Sequence, residues 1–277
     1  MKILHCGRFR LPLDRPLVMG IVNLTPDSFS GDGFVGNVEQ AVQHARQQFE
    51  AGADILDIGA ESSRPGAIPT PEADELKRLL PILREVSGWG IPISVDTYKP
   101  AVMRAALDAG AAMINDITGM IHPEALQAVA RSDCAVCVMH MQGEPGTMQQ
   151  TPLYQDVVAE VRSFLAGALE RCRQAGVGDE RIVLDPGFGF GKTLDHNLAL
   201  FRALTVASID DSPILVGVSR KSMLGAITGR QVDDRQVASV AAALLAAQKG
   251  AKILRVHDVA ATRDALAVWA AIDLGSQ

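Results

Sequence analysis

Ile91-Pro92-Ile93-Ser94-Val95-Asp96, the helical stretch Lys99–Ala109, Gly110, and then Met113-Ile114-Asn115-Asp116-Ile117 read as strand, helix, stop and strand again. Neither apolar run alternates with polar residues, which is the pattern of a parallel strand covered on both faces. Gly110 accepts the left-handed conformation that ends a helix without a Cβ clash. The unit is one β/α repeat, and both of its strands end on polar side chains, Asp96 and Asn115 with Asp116.

The same unit recurs on either side. Strand-like runs also cover Leu17–Val22, Asp54–Gly59, Ala135–His140, Arg181–Asp185, Pro213–Val218 and Lys252–His257. Helical periodicity covers Val38–Ala51, Pro71–Ser87, Pro123–Arg131, Tyr154–Ala175, Leu194–Thr205, Arg235–Lys249 and Val259–Ile272. Gly52, Gly176 and Gly250 stand at helix ends as Gly110 does. Eight β/α units in about 260 residues fit a closed (β/α)8 TIM barrel. An open doubly wound sheet is the rival, but regular units without a break favour closure. Lys2–Leu13 alternates weakly and is expected to cap the N-terminal end, the bottom, of the barrel. No linker or composition shift divides the chain, so residues 1–277 are read as one domain.

Composition narrows the function. Of 277 residues, 48% are hydrophobic and 21% charged, which sets aside disorder and coiled coil. Aromatics are only 4%, so Ala, Val, Ile and Leu must fill the core. A net charge of −6 gives no basic face for a nucleic acid, though a local basic pocket for a small anion is compatible with it. No apolar run approaches the ~20 residues that span a bilayer, and Met1–Arg8 lacks a signal peptide's apolar stretch. Cys6, Cys134, Cys137 and Cys172 are sparse, as suits a reduced cytoplasm. Cys134-Ala135-Val136-Cys137 has redox or metal spacing. It lies on a strand, where residues three apart face opposite ways, and no second pair completes a zinc set, so it is read as buried filler.

In such barrels the chemistry sits at the C-terminal strand ends. Those ends carry Asn23, Glu61, Asp96, Asn115, His140, Asp185, Ser219-Arg220-Lys221-Ser222, Arg255 and His257. The ring is sorted by charge. Asp96, Asn115 and Asp185 suit a flat heterocycle presenting N–H donors, because a carboxylate accepts two parallel N–H bonds. Lys221, Arg255 and His257, from the seventh and eighth units, suit an anion. No pairing for covalent catalysis stands out. Two long loops, Asn23–Phe34 and Glu61–Thr70, have the small-residue character of lids. Gly187-Phe188-Gly189-Phe190-Gly191-Lys192-Thr193 imitates a phosphate loop but has one residue too few before Gly-Lys. Its glycines are expected to let a flat ligand approach beside Asp185. His5, His44, His122 and His196 are expected to be solvated. The alanine-rich stretch Val237–Ala247 packs on the barrel or offers a flat face to a second copy.

Taken in order, these motifs resemble dihydropteroate synthase. The resemblance is carried by Met19–Ser30, by Glu61-Ser62-Ser63-Arg64-Pro65-Gly66, Ser94–Pro100 and Asn115-Asp116-Ile117, and by Met139–Gly143, Asp185–Lys192, Ser219–Ser222 and Arg255–Asp258. It implies an enzyme of folate biosynthesis, of the class targeted by sulfonamides. Such an enzyme joins 6-hydroxymethyl-7,8-dihydropterin pyrophosphate to p-aminobenzoate, giving 7,8-dihydropteroate and pyrophosphate. It implies a cytoplasmic homodimer using Mg2+. By the same resemblance Asp96, Asn115, Asp185 and Lys221 line the pterin pocket, and Asn23, Arg255 and His257 lie at the pyrophosphate, Asn23 near the metal. Asp96, Asp185, Lys221, Arg255 and His257 are its candidate catalytic set. Phe29, Asp32, Ser63, Arg64, Pro65 and Ser222 belong to the p-aminobenzoate site and lids. Gly31 is an addition to the family's usual loop, and Ser63 stands where threonine is commoner. Two alternatives share the pterin contacts: a methyltetrahydrofolate-dependent corrinoid methyltransferase and a non-catalytic pterin-binding paralogue. The first has no need of the Ser219–Ser222 and Arg255/His257 arrangement, and the second is expected to have lost lid or anion residues.

Overall fold

The computed structural model describes residues 2–24, 38–62 and 66–273. An antiparallel hairpin of β1 (Ile3–Cys6) and β2 (Phe9–Pro12) comes first. Eight parallel strands follow: β3 (Leu17–Asn23), β4 (Ile55–Gly59), β5 (Ile93–Asp96), β6 (Met113–Asp116), β7 (Ala135–Met139), β8 (Ile182–Asp185), β9 (Leu215–Val216) and β10 (Ile253–Val256). They pair in the order β8-β7-β6-β5-β4-β3-β10-β9. A parallel bridge between Leu184 and Ile214 joins the two ends, so the sheet closes into the expected barrel. Around it lie α1 (Val38–Glu50), α2 (Glu72–Val86), α3 (Pro100–Asp108), α4 (Pro123–Ala130), α5 (Val157–Gln174), α6 (Leu194–Arg202), α7 (Ser222–Thr228), α8 (Gln236–Gln248) and α9 (Val259–Asp273).

Local chemistry trims two of the expected elements. The helix expected from Tyr154 starts at Val157, because the Asp156 carboxylate accepts the Val158 and Ala159 amides, both at 3.0 Å, and so caps it there. In the run Pro213–Val218 the strand proper is Leu215–Val216, and Ile214 adds the bridge to Leu184.

Strand periodicity of two divides each strand between two cores. Outward residues such as Val18, Ile58, Val95 and Val138 pack beneath the helices. Inward residues Met19, Ile55, Met113, Ala135, Val183, Leu215 and Ile253 fill the lower barrel. Leu4, Cys6 and Leu13 of the hairpin segment join them, so the N-terminal segment plugs the bottom as expected. Cys134 packs in the outer core and Cys137 in the inner one, and all four cysteines are free and buried.

The same periodicity builds the site. Two residues beyond the apolar layer the next inward position is reached, and there the chain places Asp57, Asp96, Asn115, Asp185 and Arg255. A polar storey therefore rests on an apolar one, with Ser94 beneath Asp96 as its exception, at the C-terminal mouth of the barrel.

Candidate active site

Strand register sets neighbours in this storey. Asp96 of β5 lies opposite Asn115 of β6 and, on its other side, opposite Gly59 of β4, which in turn pairs with Asn23 of β3. A Cβ at Gly59 would sit 3.4 Å from the Asp96 Cβ and 3.8 Å from Asn23 Oδ1, so its missing side chain leaves room between them. Arg255 crosses the barrel. Its Nε donates to Asp57 Oδ2 at 2.6 Å and its Nη2 to Asp96 Oδ2 at 2.9 Å. Asn115 Nδ2 approaches the same Asp57 oxygen at 3.4 Å, which leaves the Asn115 carbonyl oxygen as its acceptor.

Asp57 was not singled out by sequence reading. It is fully buried, and its Oδ1 has no hydrogen-bond partner among the described residues. Flanked by Leu56 and Ile58 inside an apolar strand, it shows its purpose only when the barrel brings Arg255 to it.

Burial dominates the electrostatics. Desolvation pushes the Asp96 carboxyl up to about 7, with Arg255 pulling it down and Asp57 adding to the rise. Asp185 is also raised by burial, against the pull of Lys221 and of the Gly187 amide, which it accepts at 2.7 Å. The Lys221 ammonium moves the other way, to about 8, because desolvation outweighs the attraction of Asp185. Its Nζ donates to the Phe188 carbonyl and stands 4.6 Å from the centre of the Phe190 ring.

A second lysine supports this loop. Lys192 is buried, and its Nζ meets His140 Nδ1 at 2.8 Å, Gly187 O at 2.9 Å and Phe190 O at 3.0 Å. Burial lowers Lys192 to about 7, and burial with the adjacent Lys192 lowers His140 to about 3. The lysine of the false phosphate loop thus gathers its own loop's carbonyls. The glycines there also do something other than expected. A Cβ on Gly187 (φ +70°) would lie 1.8 Å from His140 O, and one on Gly191 (φ +61°) 2.5 Å from Gln142 O. They let the β8–α6 loop pack on the chain leaving β7. A Cβ on Gly189 would instead meet Lys221 Cδ at 3.3 Å.

At the basic end His257 Nδ1 lies 3.0 Å from Ser219 Oγ, and Gln48 Nε2 donates to the His257 carbonyl. Arg220, in a left-handed conformation, pairs with Asp258 at 2.7 Å. Ser222 opens α7 and is exposed. Asp116 is turned to its own loop, accepting the Thr118 and Met120 amides, both at 2.8 Å. Phe29, Asp32, Ser63, Arg64 and Pro65, and the added Gly31, lie outside the described residues.

Of the four histidines expected to be solvated, His44 is enclosed, while His5 and His196 have partners and stay partly open to solvent. His44 sits 3.2 Å from Ile21 O and is lowered by burial, His196 completes a capping box with Thr193, and His5 lies 3.9 Å from Glu180. Each sits where a helix or hairpin packs on the barrel, so a partner is at hand. His122 is exposed.

The model of the pterin binding enzyme family matches residues 19–257, the span that runs from β3 to the residue after β10 and carries this barrel mouth. The dihydropteroate synthase of Neisseria meningitidis serogroup C is 50% identical over 98% of this chain and 97% of its own length. The chain belongs to the dihydropteroate synthase family. Among solved structures, Burkholderia cenocepacia dihydropteroate synthase complexed with 7,8-dihydropteroate superposes with a TM-score of 0.91 at 51% identity, covering 99% of this chain and 97% of that one. Xanthomonas albilineans dihydropteroate synthase with 4-aminobenzoic acid superposes with a TM-score of 0.92 at 50% identity, covering 98% and 97%. Family membership at this level weighs against the methyltransferase alternative.

Proposed function

We propose that the protein joins 6-hydroxymethyl-7,8-dihydropterin pyrophosphate to p-aminobenzoate, releasing 7,8-dihydropteroate and pyrophosphate. The observation that carries this reading is the polar storey of Asp96, Asn115, Asp185 and Lys221 in a chain half identical to a synthase solved with dihydropteroate. Asp185 and the Asn115 carbonyl accept the N–H donors of the pterin edge, and Lys221 donates to its carbonyl side. The C–O bond to pyrophosphate breaks with its electron pair leaving on oxygen, and the methylene cation is delocalised into the ring. Asp96 and Asp185 stabilise that charge in a site where water does not screen it. The arylamine nitrogen then forms the new C–N bond and gives its proton to water or to the departing pyrophosphate, so no strong base is required. Arg255 and His257 hold the leaving group. With Nε and Nη2 on Asp57 and Asp96, Arg255 keeps Nη1 for that purpose.

Among the described residues no three His, Cys, Asp or Glu side chains converge as a metal site. Asn23, ending β3 at the mouth, offers one amide oxygen. Mg2+ commonly takes one or two protein oxygens and completes its shell with water and substrate phosphates. That donor set fits an ion accompanying the pyrophosphate: Asn23 would hold it, and it would neutralise charge on the leaving group. By family resemblance Ser222, with Phe29, Asp32, Ser63, Arg64 and Pro65, serves p-aminobenzoate, and sulfonamides compete there.

A homodimer and a cytoplasmic setting belong to the same proposal. Helix α8 turns Ala242, Ala243, Ala246 and Ala247 to the barrel and leaves Val237 and Leu245 exposed. Val268 and Ile272 of α9 continue this apolar face, which supports pairing with a second copy. No helix among the described residues is long and apolar enough to cross a membrane.

The test is pyrophosphate release from the pterin pyrophosphate, with and without p-aminobenzoate and Mg2+. Release that needs both, matched by dihydropteroate, is expected. A folded protein that binds pterin without turnover would overturn the synthase reading in favour of a silent paralogue.

A further inference from the structure

One group of buried charges lies beside the site and has no part in the chemistry above. Lys99, at the start of α3, reaches Glu75 Oε2 of α2 at 2.6 Å, the Glu61 carboxylate, and the Thr70 carbonyl at 2.6 Å. Glu61 Oε1 in turn accepts the Tyr98 hydroxyl at 2.9 Å and the Thr70 amide at 3.2 Å. Glu61 and Thr70 are the two stems of the β4–α2 connection, nine residues apart in sequence, and both converge on one ammonium. The cluster is enclosed: Glu75 is 1% exposed, and the Glu61 and Lys99 side chains 10% and 12%. Burial raises Glu75, while the two carboxylates hold Lys99 above its ordinary value despite burial.

This cluster is joined to the site at two points. Lys99 follows Asp96 by three residues in the β5–α3 connection. Glu61, Ser62 and Tyr98, with Pro145 of the β7–α5 connection, also wall a cleft that opens beside Asp96. The Gly66 amide donates to Pro145 O at 3.2 Å and closes the far side of that wall. An aromatic amine attacking a pterin held at Asp96 must come in past such a wall.

We propose that Lys99 is a positioning residue for the second substrate. By clamping both stems of the β4–α2 connection, it holds the wall beside Asp96 in place before the arylamine arrives. This inference rests on the synthase reading. It differs from a general contribution to stability because the clamp touches the wall and not the pterin-facing layer.

The experiment compares wild type, Lys99→Met and Lys99→Arg in steady-state kinetics, pterin calorimetry and amide hydrogen exchange of residues 66–75. Lys99→Met is expected to raise KM for p-aminobenzoate at least tenfold, to keep the dissociation constant for the pterin pyrophosphate within about twofold, and to speed exchange at Thr70. Lys99→Arg is expected to restore most of both. An unchanged KM in folded Lys99→Met, or a parallel loss of pterin affinity, would overturn the proposal. If Lys99→Met does not fold, Tyr98→Phe removes one bond to Glu61 and decides the matter: a raised arylamine KM supports the clamp, and an unchanged one overturns it. Wild-type protein that makes no dihydropteroate would instead sink the function, a result read before any variant is compared.

Discussion

Arg255→Met is the most demanding perturbation of the polar storey. It removes two charge-assisted hydrogen bonds, of 2.6 and 2.9 Å, and leaves Asp57 fully buried, with Asn115 Nδ2 at 3.4 Å as its remaining side-chain partner among the described residues. Breaking a buried pair by removing one partner costs about 3–5 kcal/mol, because the stranded charge loses its compensation. At about 2–4 °C per kcal/mol for a chain of this size, the melting temperature should fall by roughly 6–20 °C. The deficit should depend on pH. Asp96 already stands near 7, and Arg255 is the chief influence drawing it down, so the variant's carboxyl rises further. An acid whose folded pKa is raised stabilises the fold below its unfolded value and loses that contribution as pH climbs through the folded one. The variant's deficit is therefore smallest near pH 5 and grows toward pH 8. Adding Asp57→Asn should return about half of the loss, since the stranded charge goes with it. The assay is urea unfolding of both variants and wild type at pH 5 and pH 8. A pH-independent deficit, or a double variant no more stable than the single, would refute the assignment of Arg255 as the counter-charge of this layer.

Other perturbations probe the remaining parts. The pH profile of kcat/KM for the pterin pyrophosphate should rise through about 7 as Asp96 ionises and fall through about 8 as Lys221 loses its proton. Asp96→Asn should flatten the acid limb and Lys221→Gln the alkaline one; a wild-type profile level from pH 6 to 9 would remove both assignments. Asp185→Ala should weaken pterin binding by about 1–3 kcal/mol, because it leaves N–H donors unpaired, and unchanged calorimetric affinity would sink that contact. Gly187→Ala forces a Cβ to within 1.8 Å of a backbone oxygen and should unfold the loop, abolishing pterin binding, whereas Gly189→Ala, though strained at φ +80°, clashes with no backbone atom, meets only the flexible Lys221 stem, and should fold with a smaller loss of stability. Equal thermal melts for those two variants would contradict the packing argument.

What sequence reading reached, and what it missed, follows from the range of the signals. Parallel strands buried on both faces leave unbroken apolar runs, so the barrel was readable from Val18, Ile58 and Val138 and their neighbours. Strand ends were readable too, because Asp96, Asn115 and Asp185 interrupt such runs where chains turn. Asp57 interrupts a run in its middle, and its reason for being there is an arginine 198 residues away. Glu75 and Lys99 look like the solvated charges of ordinary helices until α2 and α3 pack together. Lys192 lay inside a motif rejected as a nucleotide loop, and the rejection concealed its structural use. In each case the missing information was a contact between elements, which no local pattern carries.

The polar storey is best understood as a site held away from the charge states water would give it. Burial raises the Asp96 and Asp185 carboxyls and lowers the Lys221 and Lys192 ammoniums, so carboxylates and amines are strained in opposite directions. A ligand supplying N–H donors to the first and a carbonyl acceptor to Lys221 relieves both at once. The substrate proposed here does so, and it brings an anion to the side where Arg255 has Nη1 to spare. Heterolysis then carries the negative charge out toward the mouth and leaves the positive charge among carboxylates that desolvation had made costly to ionise. Those carboxylates favour a cation more than they favour a neutral pterin, which is the differential stabilisation that catalysis requires.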